Sequence, residues 1–184
     1  MEIVYLVEIA IFVTCAIIGA VYLIWKRYAA GARLAKMEKK VTEYCAEEGY
    51  ECKKEDGILN VKCRGVYFRI FLNGKEDLQS TSLWVQYATH LDEDLSTLYW
   101  TGQTVLVNVL NHKHPSLNVS LDLNDHILWA HYRADIRSQE EFAFHFNGAY
   151  NEMKSLMSDC SELLPQLRAD FPPQPKQQTT IGFK

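Results

Sequence analysis

A chain of 184 residues with a net charge of −4, its Lys and Arg gathered after an apolar N-terminus, has no basic stripe for gripping nucleic acid. Five cysteines at 15, 45, 52, 63 and 160, an odd and scattered set, do not make a disulfide framework and match a reducing compartment. Without the apolar start and a polar tail, roughly 130 residues remain, one domain able to bury its own core.

The first element is apolar. From Ile3 to Trp25 there are 23 residues, and Glu8 alone is charged. At about 1.5 Å per residue such a helix reaches roughly 34 Å, enough for a hydrocarbon layer of about 30 Å. The uninterrupted run Ile9–Trp25 has 17 residues, near the lower limit for a span. Glu8 falls near the outer end, where a carboxylate reaches interfacial water; a functional site inside the membrane is the alternative. Tyr5 at one end, and Tyr22, Trp25 and Tyr28 at the other, suit two aromatic belts. A cleaved signal needs a basic start and a small-residue cleavage site. Here the start carries Glu2 and the run ends in Trp25-Lys26-Arg27. A helix in a soluble core is rarely apolar on every face. Residues 1–28 are therefore expected to be a transmembrane anchor. Lys26, Arg27, Arg33, Lys36, Lys39 and Lys40 follow the run, and no Lys or Arg precedes it. The positive-inside rule then puts the N-terminus outside and the rest in the cytoplasm, as a single-pass protein of the cell inner membrane. The stretch Tyr28–Lys40 could also rest on anionic headgroups.

Residues 29–48 read as a juxtamembrane helix. Leu34, Met37, Val41, Tyr44 and Cys45 recur at helical spacing, and Gly49 stands where a helix stops. Asp56-Gly57 and Arg64-Gly65 then mark two tight turns. They separate three strands in which Leu59, Val61, Cys63 and Val66, Phe68, Ile70, Leu72 alternate with other residues. Asn73–Ser80 is a polar loop, and Thr81–Ala88 a fourth strand. Asp92, Glu93 and Asp94 suit the start of a helix running to His112, stopped by Pro115. Its apolar positions are Leu95, Leu98, Tyr99, Gly102, Val105, Leu106, Val109 and Leu110. Leu117, Val119, Leu121 and Leu123 form a strand, Asn124-Asp125 turns, and another strand returns. Ser138 with Glu141 is a capping box for a last helix reaching Leu167. Residues 172–184 are Pro/Gln-rich and expected to be disordered. The order is anchor–α–β–β–β–β–α–β–β–α. It predicts an α+β fold over 49–171, an antiparallel sheet with helices on one face.

That order, with the opening "VTEYCAEEGYECKKEDGILNVKCRGVYFRIFL", resembles the YbjN-like family, which has the type III secretion chaperone-like fold. The resemblance covers about residues 41–168 and lies in the helix, the G-Y…DG hairpin and the F-x-I-F-L strand. It implies a non-enzymatic domain that pairs with itself or holds other proteins. The anchor and the tail depart from that pattern, since a soluble export chaperone has no need of a tether.

No residue set points to catalysis or to a cofactor. His112 and His114 flank one residue, with His126 and His131 further on, but a metal needs three or four ligands and the cysteines have no C-x2-C spacing. Packed or solvated histidines and core thiols are expected instead. There is no G-x-S-x-G, and Cys160 falls on an apolar helix face. The acids of HLDEDL open a helix rather than form a cation site. No glycine-rich phosphate loop is present.

The strands, however, are bulky on both faces. Tyr67 and Phe71 oppose Phe68, Ile70 and Leu72; Trp84 opposes Leu83, Val85 and Tyr87; Trp129 opposes Leu128 and Tyr132. If helices cover one face, the other needs a partner subunit, a client segment or the tail, unless the helices wrap further round. Tyr67, Phe71, Trp84 and Trp129 are the candidate interaction residues. The expectation is a membrane-tethered cytoplasmic adaptor or chaperone-like module, working as a homodimer or on another protein, with no nucleic acid, metal or cofactor. The alternative is a small-molecule-sensing or enzymatic domain with a pocket between sheet and helix.

Overall fold

The structure, a computed structural model, describes residues 2–74, 80–90, 100–122, 125 and 127–171. The loop residues 75–79, the expected helix start at Asp92–Asp94 with Leu95, Leu98 and Tyr99, Leu123, Asn124, His126 and the Pro/Gln tail lie outside the described residues.

Helix α1 runs unbroken over Glu2–Glu47, so the apolar run and the helix after it are one rod. Nothing between Tyr28 and Leu34 stops it: Ala-Ala-Gly-Ala holds no proline, and a lone Gly costs only about 1 kcal/mol in a helix. Its two ends have opposite surroundings. Ile11, Phe12, Ile17, Ile18, Tyr22, Ile24 and Trp25 are all exposed. Met37, Val41, Tyr44 and Cys45 are buried in the core. The helix ends at Gly49, whose φ of 72° is left-handed. There the Tyr50 N–H donates to the Cys45 carbonyl at 2.7 Å and the Gly49 N–H to Ala46 at 3.1 Å.

Six strands follow in one antiparallel sheet of order β1-β2-β3-β4-β6-β5. They are β1 (Glu51–Glu55), β2 (Ile58–Cys63), β3 (Val66–Gly74), β4 (Thr81–His90), β5 (Leu117–Asp122) and β6 (Ile127–Ile136). Both tight turns form as read: Asp56 and Gly57 have φ of 50° and 79°, Arg64 and Gly65 of 50° and 83°. Two successive left-handed residues match the twist of a two-residue hairpin. The edge strand β1 is charged, ECKKE, which discourages pairing with another chain. At the other edge Asn111 blocks β5: its side chain donates to the Val119 carbonyl at 2.9 Å and accepts from the Val119 N–H at 2.8 Å.

Helices α2 (Trp100–Lys113) and α3 (Gln139–Asp170) join the C-terminal part of α1 on one face of the sheet, the α+β arrangement expected. Leu59, Val61, Phe68, Ile70, Leu83, Val85, Leu128 and Ala130 point into that layer and are buried. From α3, Phe142, Phe146, Ala149, Met153, Leu156, Cys160, Leu164 and Leu167 meet them at 3–4 residue spacing. Phe146 lies edge-on to Phe68 at 5.5 Å and Phe142 edge-on to Tyr44 at 5.5 Å, so these rings tie α1, α3 and the sheet together. Truncating such a ring to alanine costs about 3–5 kcal/mol. Ser138 caps α3 by accepting from the Glu141 N–H at 3.2 Å. The Glu141 carboxylate returns to the Arg137 N–H at 2.8 Å, one residue before the usual partner in a capping box. Pro165 sits inside α3 one turn from its end, where buried Leu164 and Leu167 hold the last turn despite the missing donor.

Candidate functional site: the open sheet face

Strand register decides which residues share the uncovered face. Lys62 pairs with Tyr67, Arg69 with Gln86, Phe71 with Trp84, Trp84 with Arg133, Gln86 with His131, and Ala88 with Trp129. Partners across a ladder point to the same side. Tyr67, Phe71, Trp84 and Trp129 therefore lie on one face, opposite to the described helices α1, α2 and α3. The possibility that helices wrap over both faces is not realised among the described residues.

Each of these rings has a nitrogen-bearing neighbour. The Arg133 guanidinium lies 3.5 Å from the centroid of Trp84, Arg69 lies 5.5 Å from Phe71, and the Lys62 ammonium 5.4 Å from Tyr67. Trp129 stacks on His131 with ring centroids 6.4 Å apart and planes 23° from parallel. A cation over a ring within about 6 Å gains about 0.5–1 kcal/mol at an exposed site. These contacts shield Phe71, Trp84 and Trp129, which are half-buried, while Tyr67 remains 65% exposed. The cations were missed as site residues by sequence reasoning. The signal was there: Arg69 and Arg133 share the parity of Tyr67, Phe71 and Trp129 on their own strands, and Lys62 alternates with the apolar Leu59, Val61 and Cys63 of β2.

Electrostatics on the face favour charged Lys62 and neutral His131. A hydrogen bond from Lys62 to Glu51, with Tyr67 beside it, holds the ammonium pKa above its ordinary value. Partial burial, and secondarily the Arg133 charge, hold the His131 imidazole below its own. The face mixes signs, because Glu51, Glu55 and Asp135 fall on it by register with Lys53, Lys62, Arg69 and Arg133.

The other groups singled out in the sequence lie apart from this face. His114 is 4% exposed and packed between α2 and α3, with Nδ1 3.1 Å from Glu152 and Nε2 2.9 Å from Asp159. His112 is exposed. No group of three or more His, Cys, Asp or Glu side chains converges as a metal set among the described residues. Cys45, Cys63 and Cys160 are buried. Lys26, Arg27, Arg33 and Lys36 follow one another on α1 past the exposed apolar stretch, and Arg33 and Lys36 also border a cavity against the sheet. On the covered side, Val66, Phe68, Tyr87, Tyr150, Met153, Lys154 and Met157 line a second, apolar and half-open cavity of about 320 Å³ between sheet and α3.

No family model matches the chain, and no curated protein matches it. A solved structure of an uncharacterised protein from Methanothermobacter thermautotrophicus is 11% identical, covers 68% of this chain and 96% of its own, and superposes with a TM-score of 0.52. YbjN from E. coli, a candidate transcription regulator, is also 11% identical, over 73% of this chain and 94% of its own, with a TM-score of 0.44. The archaeal likeness shows that this α+β arrangement recurs in a solved structure, and it carries the fold alone.

Proposed function

We propose that the chain is a membrane-tethered, non-enzymatic protein-interaction module whose open sheet face binds a second copy of itself. The observation that supports this is the face itself. Among the described residues nothing covers one side of the six strands, and three aromatic rings there are each flanked by Lys or Arg. Aromatic residues and Arg are the types enriched where protein interfaces are fully desolvated. Mixed charge allows the same patch to meet itself across a two-fold axis. The anchor reading rests on α1, in which a helix long and apolar enough to cross a bilayer leaves its apolar stretch unburied. Confinement to a membrane would raise the effective concentration of copies for one another.

The test is the oligomeric state of the full-length chain in nanodiscs at several protein-to-disc ratios. A dimer that Trp84→Ala with Trp129→Ala weakens at least tenfold supports the reading. A monomer at every ratio contradicts it. A reporter fused after Lys184 should in turn give a cytoplasmic signal; an external one overturns the orientation.

The apolar cavity between sheet and α3 favours one second reading, a domain that senses a small apolar ligand. Lys154 is the one ionisable side chain besides Tyr87 and Tyr150 on its wall, so the cavity suits binding better than acid–base chemistry. Saturable uptake of an apolar fluorescent probe, abolished by Met153→Trp, would support that reading.

A further inference from the structure

Where α1 meets the end of the sheet, four cations surround one cavity. Arg33, Lys36, Met37 and Lys40 face it from α1, Thr81 from the first residue of β4, and Ile136 and Arg137 from the end of β6 and the residue after it. The cavity holds about 150 Å³, several times the roughly 30 Å³ that one water molecule occupies. Thr81 and Ile136 are register partners, so the floor is a fixed ladder position rather than a loop.

Two independent features of this cavity call for an anion. No carboxylate lines it, and none of Arg33, Lys36, Lys40 or Arg137 forms an ion pair among the described residues. Glu140 is near enough to Lys40 to feel its charge but does not line the cavity. Like charges gathered with no carboxylate among the described residues of the cavity wall repel one another, an arrangement that a bound anion relieves. Secondly, Thr81 is fully buried and its hydroxyl has no hydrogen-bond partner among the described residues. A buried hydroxyl without a partner is unfavourable unless something supplies one.

We propose that this cavity is a binding site for a phosphate group, held by the Arg33 and Arg137 guanidinium groups, the Lys36 and Lys40 ammonium groups and the Thr81 hydroxyl. Guanidinium forks match phosphate oxygens two at a time, and the hydroxyl donates to a third. Arg33 follows Trp25 by roughly 12 Å along α1, just beyond the depth of a headgroup layer. The phosphate therefore comes either from an anionic lipid reached by a tilted helix or from a soluble compound. The site is separate from the open sheet face and stands whether or not that face binds a second copy.

The experiment reads acetylation of individual lysines by mass spectrometry on the full-length chain. One arm holds it in a neutral detergent with inorganic phosphate, against chloride at equal ionic strength. The other holds it in phosphate-free buffer in nanodiscs of phosphatidylcholine alone or with phosphatidylglycerol. Exposed Lys39, paired with Glu43 outside the cavity, is the internal control. Slowing of Lys36 and Lys40 at least fivefold relative to Lys39 by phosphate in detergent identifies a soluble source. The same slowing only in phosphatidylglycerol discs identifies a headgroup. Arg137→Gln should abolish it in either case, because Arg137 belongs to the cavity and not to the basic helix. Thr81→Val should weaken phosphate at least tenfold while raising the melting temperature of the anion-free protein. Equal slowing of Lys39, slowing that survives Arg137→Gln, or no slowing in either arm would overturn the assignment.

Discussion

The guanidinium of Arg133 lies 3.5 Å from the centre of the Trp84 ring, and the two residues are direct partners across the β4–β6 ladder. Stacked in this way, a flat cation covers a flat ring on a face that no helix covers among the described residues. Arg133→Ala should cost the fold only about 0.5–1 kcal/mol, the worth of an exposed cation–ring pair. Its effect on self-association should be far larger, at least tenfold, because both groups would be fully desolvated there. Urea melts beside association measurements check this. A large loss of stability with association intact would contradict it.

His131 makes the same face sensitive to pH. Partial burial and Arg133 lower its pKa, so the folded chain prefers the neutral ring. As pH falls through about 6.5, the unfolded chain takes up the proton first. Stability from this residue is therefore complete above that value and declines as pH drops toward the folded one. The difference in urea midpoint between wild type and His131→Asn should shrink or change sign from pH 8 to pH 5. A difference that stays constant across that range would count against the residue as its source.

Between α2 and α3, His114 bridges two acids. Both of its ring nitrogens face carboxylates at 2.9–3.1 Å. His114→Ala should cost about 1–3 kcal/mol, and His114→Gln, which keeps one donor, less. A hydrogen bond from Lys113, assisted by His114, holds the Asp159 carboxyl below its ordinary value. The stability it contributes is present above the ordinary carboxylate value and is lost as pH falls through the folded one. Denaturation of wild type and Asp159→Asn should therefore differ more at pH 7 than at pH 3.

Burial pushes the Cys45 thiol up to about 12 and Cys160 up to about 11. Neither should react with iodoacetamide at pH 8 in the native chain, since the thiolate is the nucleophile. Both should label fully in urea. Rapid native labelling of either would mean that the packing of α1 or α3 opens on the reagent's timescale.

Much of this fold was legible because local signals carried it. Asp56-Gly57 and Arg64-Gly65 force hairpins, and period-two alternation through Leu59, Phe68 and Leu83 names sheet faces. Tyr67 and Phe68 are both bulky, so composition cannot say which side of the sheet is bare. That is decided by α1 and α3 docking through Val41, Tyr44, Phe142 and Phe146, contacts made across long stretches of chain. The same distance hid the bridge from His114 to Glu152 and Asp159, 38 and 45 residues away. It also hid the meeting of Arg33 with Thr81 and Arg137. Lys26 and Arg27 look alike in sequence to Arg33 and Lys36, and only the fold separates a run of charges from the wall of a cavity.

The central claim, that the open sheet face is where this chain meets a second copy, is tested most directly by photo-crosslinking in cells. A photoreactive residue is placed singly at Tyr67, Trp84 or Trp129 in the full-length chain. Phe144, 74% exposed on α3, serves as a position off the face. Adducts are sized and identified by mass spectrometry. Adducts of the chain with itself from the three face positions, and none from Phe144, are the predicted result. No protein adduct from the face, or equal adducts from Phe144, would contradict it.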